Sequence, residues 1–443
     1  MKTDINYKKY FQIALKKGFT SLELMINENQ SMYISLEDNR INENVKSDIC
    51  TLVITGLYKN KKSSLYLETI NEDEIEDILE LLKNQISVLN LKEKDTIFKG
   101  SDSYPEVKES NFNFSSINIE KKYDLLFKLE KELSNKSVFL NKIDSITYQE
   151  SYFKKRLINS EGLNLEEKGS FARIYVDCVF QKNDEKEVVS QSEAVCNFCD
   201  FDILKLSKKV IDLGEKKIGG RSVESKNYPT VFSNKIFAKL LEQFSSVFSG
   251  MSAYRNLTRL KDKEGQKIAS SKVTIIDDPL TSKSFFQYKF DDEGVACYSK
   301  KIIEKGVFKQ FIYDLKTSLI FNTEPTGNSF SNSISMTNCY LQKGSVSFED
   351  MISTIDEGIY IDFVMGLHAG INEVSGDFSL QAGGFKIEKG KITTPVKMII
   401  ISGNFFNILL DLKEISDDLS FHNTSSFGSP SVYAGDLVIA GNK

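Results

Sequence analysis

Histidine is scarce in this chain of 443 residues, and tryptophan is absent. Only His368 and His422 occur, although histidine is the commonest metal ligand and a frequent general base in proteins. Two histidines are too few for a His-based metal site, so we interpret each as a loop residue or a hydrogen-bonded structural residue. A Ser–His–Asp arrangement using Ser379 and Asp377 stays open, but no G-x-S-x-G elbow supports it.

Cysteines and long apolar runs are also few. No run approaches the ~18 apolar residues of a membrane-spanning helix, and the N-terminus lacks the pattern of a secretory signal. We therefore expect a cytoplasmic protein with reduced thiols that does not contact membranes. Cys196 and Cys199 form a lone C-x-x-C pair without the second ligand pair that zinc would need, and we interpret them as incidental thiols. The net charge of -5 argues against a general nucleic-acid binder.

The length and the hydrophobic pattern predict an α+β protein with more than one domain. Residues 1–91 have the pattern of antiparallel strands with a helix, residues 92–117 that of a polar linker, and residues 118–220 that of a second, similar unit. Residues 221–443 are rich in Gly and Ser and predict a large, mainly β domain of barrel-like form. A duplication would explain the two similar units, although no residue-level repeat supports it.

The C-terminal domain includes the segment Ser233–Gly250, which has the pattern of one amphipathic helix near its start. Ser233 is suited to cap the first turn, and Gly250 can adopt the left-handed conformation that ends many helices. The segment contains no His, Cys or Asp, and Glu242 is its only carboxylate. This composition leaves too few ligands for a divalent metal ion.

Two acidic clusters, Asp277–Asp278 and Asp291–Glu293, could bind a divalent cation or act as acid and base. Pro and Gly directly after them favour turns, so we interpret both clusters as turn structure.

Glycines recur in the C-terminal half, where Gly within a strand marks a bulge or the close approach of another backbone. We predict a groove there that takes an extended peptide by strand addition, although an ordinary barrel corner would account for the same glycines. The candidate groove residues are Gly376, Asp377, Phe378, Ser379, Gly383, Gly384 and Phe385.

Several ordered motifs resemble those of the TldD/PmbA family. They are KVTIIDDPL, FDDEG, IEKGVF, TGNS, GDFSLQAGGFKIEKG and a terminal VIAG, and the resemblance spans essentially the whole chain. It implies a heterodimer of two homologous subunits that form a cytosolic zinc metallopeptidase. Such an enzyme acts on largely unfolded peptides, including precursors of modified peptides and some antitoxins. An older label of the family is modulator of DNA gyrase.

The resemblance also implies where zinc would be bound. The catalytic subunit type carries H-E-x-x-x-H on the helix that opens the C-terminal domain, with a further Cys ligand near the C-terminus. Here Glu242, Gln243 and Val247 occupy the positions of that motif, and Cys339 is the last cysteine. We therefore expect no catalytic residue and no metal site in this chain, and zinc only in a TldD-like partner. This pattern is similar to the PmbA/TldE subunit type, which would be inactive alone.

Three hypotheses for the function remain. The first, which we favour, is a non-catalytic subunit that pairs with a TldD-like subunit, or with itself, and helps form a chamber for an extended peptide. The second is a stand-alone homodimeric module that has a peptide-binding or regulatory role and no peptidase activity. The third is an enzyme with a different site, built from Asp277, Asp278, Asp291 and Asp292.

Overall fold

The computed structural model describes residues 5–68, 72–89, 93–134 and 136–442. The N-terminal half is built on one six-stranded sheet, and the C-terminal half contains a barrel of five strands that closes on itself. The predicted α+β class and the barrel-like C-terminal domain are therefore confirmed. None of the helices within the described ranges has the length and apolar character needed to traverse a lipid bilayer.

The N-terminal half uses one arrangement twice, namely a helix, three strands and a second helix. The first unit comprises α1 (Tyr7–Lys16), β1 (Ser21–Glu37), β2 (Arg40–Tyr58), β3 (Lys61–Leu67) and α2 (Ile75–Ser87). The second comprises α3 (Ile119–Leu133), β4 (Leu140–Asn159), β5 (Asn164–Lys182), β6 (Glu185–Val195) and α4 (Ile203–Lys217). Antiparallel pairing of β1 with β4 merges them into one sheet in the order β3-β2-β1-β4-β5-β6. This is the topology that a duplication produces.

Alternation along β5 explains how the second unit forms its core. Ile174, Val176, Cys178 and Phe180 are fully buried while the residues that alternate with them are partly exposed, as expected for a strand with one face on a core. Helix α4 approaches that face closely at Gly214, where a Cβ atom would lie 2.3 Å from the Phe180 ring. Glycine is therefore required in the helix by packing.

The C-terminal half combines the barrel with a second six-stranded sheet. Its helices are α5 (Asn234–Phe244), α6 (Gly250–Tyr254), α7 (Leu315–Phe321), α8 (Phe348–Ser353) and α9 (Phe405–Asp411). The barrel strands are β7 (Lys226–Phe232), β14 (Glu357–Met365), β15 (Asp377–Glu388), β16 (Lys391–Asn404) and β20 (Val432–Ala440). They follow the order β16-β15-β14-β7-β20, with β17 (Glu414–Ile415) beyond β20, and β16 pairs with β20 to close the ring.

The second sheet has the order β10-β9-β8-β13-β19-β18, and a separate short hairpin pairs β11 with β12. These strands are β8 (Ile275–Asp277), β9 (Lys300–Glu304), β10 (Val307–Phe308), β11 (Ser329–Phe330), β12 (Ser333–Ile334), β13 (Cys339–Leu341), β18 (Ser420–Phe421) and β19 (Phe427–Ser429). The apolar face of α5 packs between this sheet and the barrel, in the largest hydrophobic core of the described residues.

The predicted helix Ser233–Gly250 is shorter than expected. Ser233 does cap α5, since its hydroxyl accepts a first-turn backbone N–H at 3.3 Å. However, α5 gives way to a 3₁₀ turn at Ser245–Phe248, and Gly250 begins α6 instead of ending a helix. The expectation of a left-handed cap was wrong. Glycine is needed at position 250 because a Cβ atom there would lie 2.4 Å from the Tyr313 ring.

Candidate functional site

The three positions that correspond to the zinc motif do not converge on one point. Glu242 is exposed on α5, Gln243 is half-buried, and Val247 lies with no exposed surface in the core beneath the 3₁₀ turn. A zinc site needs three or four N, S or O ligands around one ion. The side-chain amide of Gln243 is a poor ligand, and the buried isopropyl group of Val247 supplies none. These residues do not fit zinc. Within the described ranges, no group of three or more His, Cys, Asp or Glu side chains could hold a metal ion.

The first acidic cluster is part of the interior. Asp277 has no exposed surface, and its carboxylate accepts hydrogen bonds from Asn328 Nδ2 (2.8 Å) and from the backbone N–H and hydroxyl of Thr337 (both 2.8 Å). The buried ammonium of Lys300 lies 3.3 Å away and also donates to Asn328 Oδ1 at 3.1 Å. A carboxylate enclosed and satisfied in this way holds loops together and is not accessible to a substrate.

The second acidic cluster is equally structural at its first member. Asp291 accepts the backbone N–H groups of Glu293 and Val295 through one oxygen and that of Ser329 through the other, each at 3.0 Å. Burial raises the pKa of Asp291 to about 7 despite these bonds. The interpretation as turn structure agrees with this geometry at Asp291, whereas Asp277 ends strand β8. Both carboxylates are buried and hydrogen-bonded, which removes the support for an enzyme built on them.

The FDDEG motif also joins the two halves of the molecule, a role that the sequence did not indicate. Asp292 pairs with Lys155 of β4 (3.1 Å), and Glu293 pairs with Lys62 of β3 (2.8 Å). The carbonyl of Gly294 accepts the Tyr104 hydroxyl at 2.7 Å. Three contacts from consecutive residues therefore hold the C-terminal half against the N-terminal sheet.

The predicted peptide groove at residues 376–385 has no free strand edge. Strand β15 pairs with β16 on one side, and on the other with β14 from Gln381 onward and with residues 370–372 before it, so its backbone is already used. Gly384 is needed because the carbonyl oxygen of Tyr360 lies 1.9 Å from where its Cβ atom would be. Strand addition at this site was therefore a wrong expectation. It stays a prediction that the outward-facing side chains of residues 376–385 contact a peptide in another way.

The candidate groove residues divide between the two surfaces of the barrel wall. Phe378 and Phe385 are buried, whereas Asp377 and Ser379 are exposed. Gly376, at φ +83°, lies in the turn before β15, and Gly383 is buried within it. The Ser379 hydroxyl accepts a hydrogen bond from Ser402 at 3.1 Å, and the Asp377 carboxylate accepts from Asn404 and Ser375. Among the described residues, no hydrogen bond joins Ser379 or Asp377 to a histidine, so the structure does not form the triad that the sequence left open.

His422 is a hydrogen-bonded structural residue, as interpreted from the sequence. Its Nε2 atom lies 3.0 Å from Asn234 Oδ1 at the start of α5. Burial and the nearby Lys235 ammonium lower the pKa of His422 to about 4, so the imidazole is neutral near pH 7. Asn234 in turn donates to Asp418 at 3.2 Å. All six cysteines are free thiols, and Cys196 and Cys199 are exposed.

Two open cavities lie where the N-terminal sheet meets the C-terminal half, and both are lined by Phe153, Glu167 and Phe286. One has a volume of about 360 Å³ and lies beside the edge of β5. The other, of about 350 Å³, has five aromatic rings in its walls, including those of Tyr288 and Phe330. A third cleft, of about 670 Å³, contains residues from the face of the N-terminal sheet opposite to that of Phe153. No signal in the sequence indicated these cavities, because their walls come from distant segments.

Comparison with known proteins gives a consistent result. A family model described as the PmbA/TldA metallopeptidase C-terminal domain matches residues 225–441, and the model of the central domain matches residues 112–217. A metalloprotease PmbA homolog of Buchnera aphidicola is 25% identical over 444 residues, covering 95% of this chain and 93% of that protein.

Solved structures agree over nearly the full length. A Thermotoga maritima protein described as a modulator of DNA gyrase has a TM-score of 0.90 at 26% identity, covering 98% of this chain and 99% of that one. TldE from Thermococcus kodakarensis has a TM-score of 0.89 at 22% identity, covering 98% of this chain and 100% of that one. The second likeness concerns the fold alone.

Proposed function

Because the chain belongs to the TldD/PmbA family, we propose that it is a non-catalytic, PmbA/TldE-type subunit of a TldD-like metallopeptidase. The observation that carries this proposal is the divergence of Glu242, Gln243 and Val247, of which the last is enclosed in the core. Zinc and the catalytic base would then come from a homologous partner that carries H-E-x-x-x-H. The substrates would be largely unfolded peptides, and the complex would be cytoplasmic.

An apolar area on the outer surface of the barrel supports the proposed pairing with a second subunit. Phe363, Met365, Met398, Ile400 and Val438 are all between 42% and 66% exposed. Strand pairing places them close together, since Met365 and Ile400 are both opposite the same residue of β15 and Ile400 is opposite the end of β20. Contiguous exposed apolar surface of this kind is typical of protein interfaces. We call these five residues the barrel patch.

The proposal is tested by metal analysis and reconstitution. The purified chain should contain far less than one zinc per molecule and should not hydrolyse unstructured peptides. Mixing it with a homologous subunit that carries H-E-x-x-x-H should give peptidase activity that a chelator removes. Stoichiometric zinc, or chelator-sensitive hydrolysis by the chain alone, would contradict the proposal.

Matched substitutions assign the chemistry to one subunit. Glu→Gln within the partner's H-E-x-x-x-H motif should abolish hydrolysis, because the carboxylate that activates the metal-bound water is lost. Glu242→Gln in this chain should leave the activity of the mixture unchanged. If the mixture forms no complex and the chain alone is a dimer that binds peptides, the stand-alone module is the correct hypothesis instead.

A further inference from the structure

The cavity of about 350 Å³ lies between the two halves of the molecule. One wall is the face of the N-terminal sheet that meets the C-terminal half, where Asn29, Phe153 and Phe171 lie on β1, β4 and β5. The other wall is formed by residues 286–288 and by Phe330 of β11. We call this space the aromatic cavity.

Four of its five rings form two edge-to-face pairs. The ring centroids of Phe171 and Phe286 lie 5.4 Å apart at an interplanar angle of 77°, and those of Tyr288 and Phe330 lie 5.4 Å apart at 63°. All five rings, including that of Phe153, are half-buried, so each keeps exposed surface. Edge-to-face and offset contacts between rings contribute more than the apolar area that they bury. The walls therefore present ring edges and faces to one more aromatic group.

The charged side chains in the walls already have partners. Lys155 lies 3.5 Å from Glu167 and 3.1 Å from Asp292. Lys154, the other lysine of the cavity, lies 3.5 Å from Glu166. A charged ligand group would have to compete with these ion pairs and would lose its own hydration on entering the cavity. The aromatic cavity therefore favours an uncharged group.

Three polar groups of the walls are not used within the chain. Among the described residues, the side-chain amides of Asn27 and Asn29 and the hydroxyl of Tyr288 form no hydrogen bond. The amide of Gln287, by comparison, is bonded at both its oxygen and its nitrogen. Asn29 is exposed and Asn27 is half-buried, so the two amides extend from the mouth into the cavity. Each amide has donors and an acceptor, which match the N–H and C=O groups of a peptide main chain.

We propose that the aromatic cavity binds an aromatic side chain of an unfolded peptide, while Asn27 and Asn29 hydrogen bond to the peptide main chain beside it. The volume is at the lower end of the range for ligand sites, which suits one large side chain. Binding of this kind uses side chains of the protein and needs no free strand edge. This inference rests on the proposed function, because it assumes that the chain handles unfolded peptides, and it adds a preference for aromatic residues.

The first test measures fluorescence anisotropy of a labelled, unstructured octapeptide with one central Phe, titrated with the full chain. Replacement of that Phe by Ser should abolish saturable binding. Replacement by cyclohexylalanine keeps the apolar volume and removes the aromatic ring, and it should weaken binding by about two- to tenfold. Equal affinities for the three peptides would overturn the inference.

A competition experiment distinguishes a peptide from a small aromatic molecule as the ligand. N-acetylphenylalaninamide has the same ring and lacks the flanking main chain that Asn27 and Asn29 would bind. It should displace the labelled peptide only at much higher concentration than the unlabelled peptide does. Displacement at equal concentration would show a site for a small aromatic molecule and would overturn the peptide as its ligand.

Matched substitutions test the position of the site. Asn29→Trp places a large ring at the mouth of the aromatic cavity and should abolish binding of the Phe peptide. Asn42→Trp makes the same change at an exposed position of β2 that does not line the cavity, and it should have no effect. Both positions are exposed, so neither variant loses core packing. Equal binding by the two variants would contradict the site.

Photo-crosslinking keeps the test independent of any variant's folding. A peptide with azidophenylalanine in place of Phe is irradiated with the unaltered chain, and the adducts are mapped by mass spectrometry. Adducts should fall within residues 27–29, 153–155, 286–288 or at residue 330. Adducts confined to residues 376–385 or elsewhere, or an absence of saturable binding, would overturn the inference. Neither result affects the proposed subunit role, which zinc content and reconstitution test separately.

Discussion

Neutralising Glu23 should stabilise the protein above neutral pH. This residue lies on β1 with 8% of its surface exposed, and burial raises the pKa of its carboxyl from 4.5 to about 7, against the opposing attraction of Lys62. Between pH 4.5 and about pH 7, the Glu23 carboxyl is therefore protonated in the folded state and ionised in the unfolded chain. Stability contributed by this group is lost as the pH rises from about 4.5 to about 7, and the loss is complete above that range.

The magnitude follows from the two pKa values. At about 1.4 kcal/mol for each pH unit, a rise from 4.5 to about 7 corresponds to about 3 kcal/mol, of which about 2 kcal/mol falls between pH 5 and pH 8. Glu23→Gln keeps the shape and removes the titration. Its free energy of unfolding, relative to that of the unaltered protein, should increase by about 2 kcal/mol from pH 5 to pH 8.

The assay is urea unfolding at both pH values, with Glu43→Gln at an exposed position of β2 as the control. The control should show no such pH-dependent difference from the unaltered protein. If Glu23→Gln were the less stable protein at pH 8, the carboxylate would be ionised and stabilised by Lys62. The reasoning from burial would then be refuted.

Three further predictions concern packing, a buried charge and association. Gly214→Ala should lower the unfolding free energy by about 1–3 kcal/mol, measured by urea denaturation, because the new methyl group overlaps the Phe180 ring. Lys122→Met should cost about 3–5 kcal/mol at pH 7 in the same assay, because it leaves the buried Glu150 carboxylate without its 2.6 Å partner. Ile400→Glu on the barrel patch should reduce subunit association in analytical ultracentrifugation without changing the circular dichroism spectrum.

The sequence alone was sufficient for the fold class and the family, because both depend on local patterns. Alternating burial in β5 and the helical apolar stripe of α5 follow directly from residue order. The missing zinc ligands are also visible in the sequence, since Glu242 and Val247 differ chemically from histidine wherever the chain places them. The domain limits stay predictions.

Roles that depend on distant segments could not be obtained in this way. The acidic residues Asp277 and Asp291 have the same side chain as a catalytic carboxylate, and only their enclosure by residues 328–337 and the Ser329 backbone makes them structural. In the same way, the left-handed cap expected at Gly250 gave way to a close contact with Tyr313, which lies far along the chain.

The pairing of β15 is the clearest example of this division. The glycines of β15 have the composition of a peptide groove, yet neighbours on both sides use its backbone. A residue's chemistry is determined by its own identity, whereas the availability of its backbone is determined by the strands that pair with it in the folded sheet. The sequence therefore determined which side chains occupy positions 242, 243 and 247, and the tertiary structure determined that the backbone of β15 is already paired.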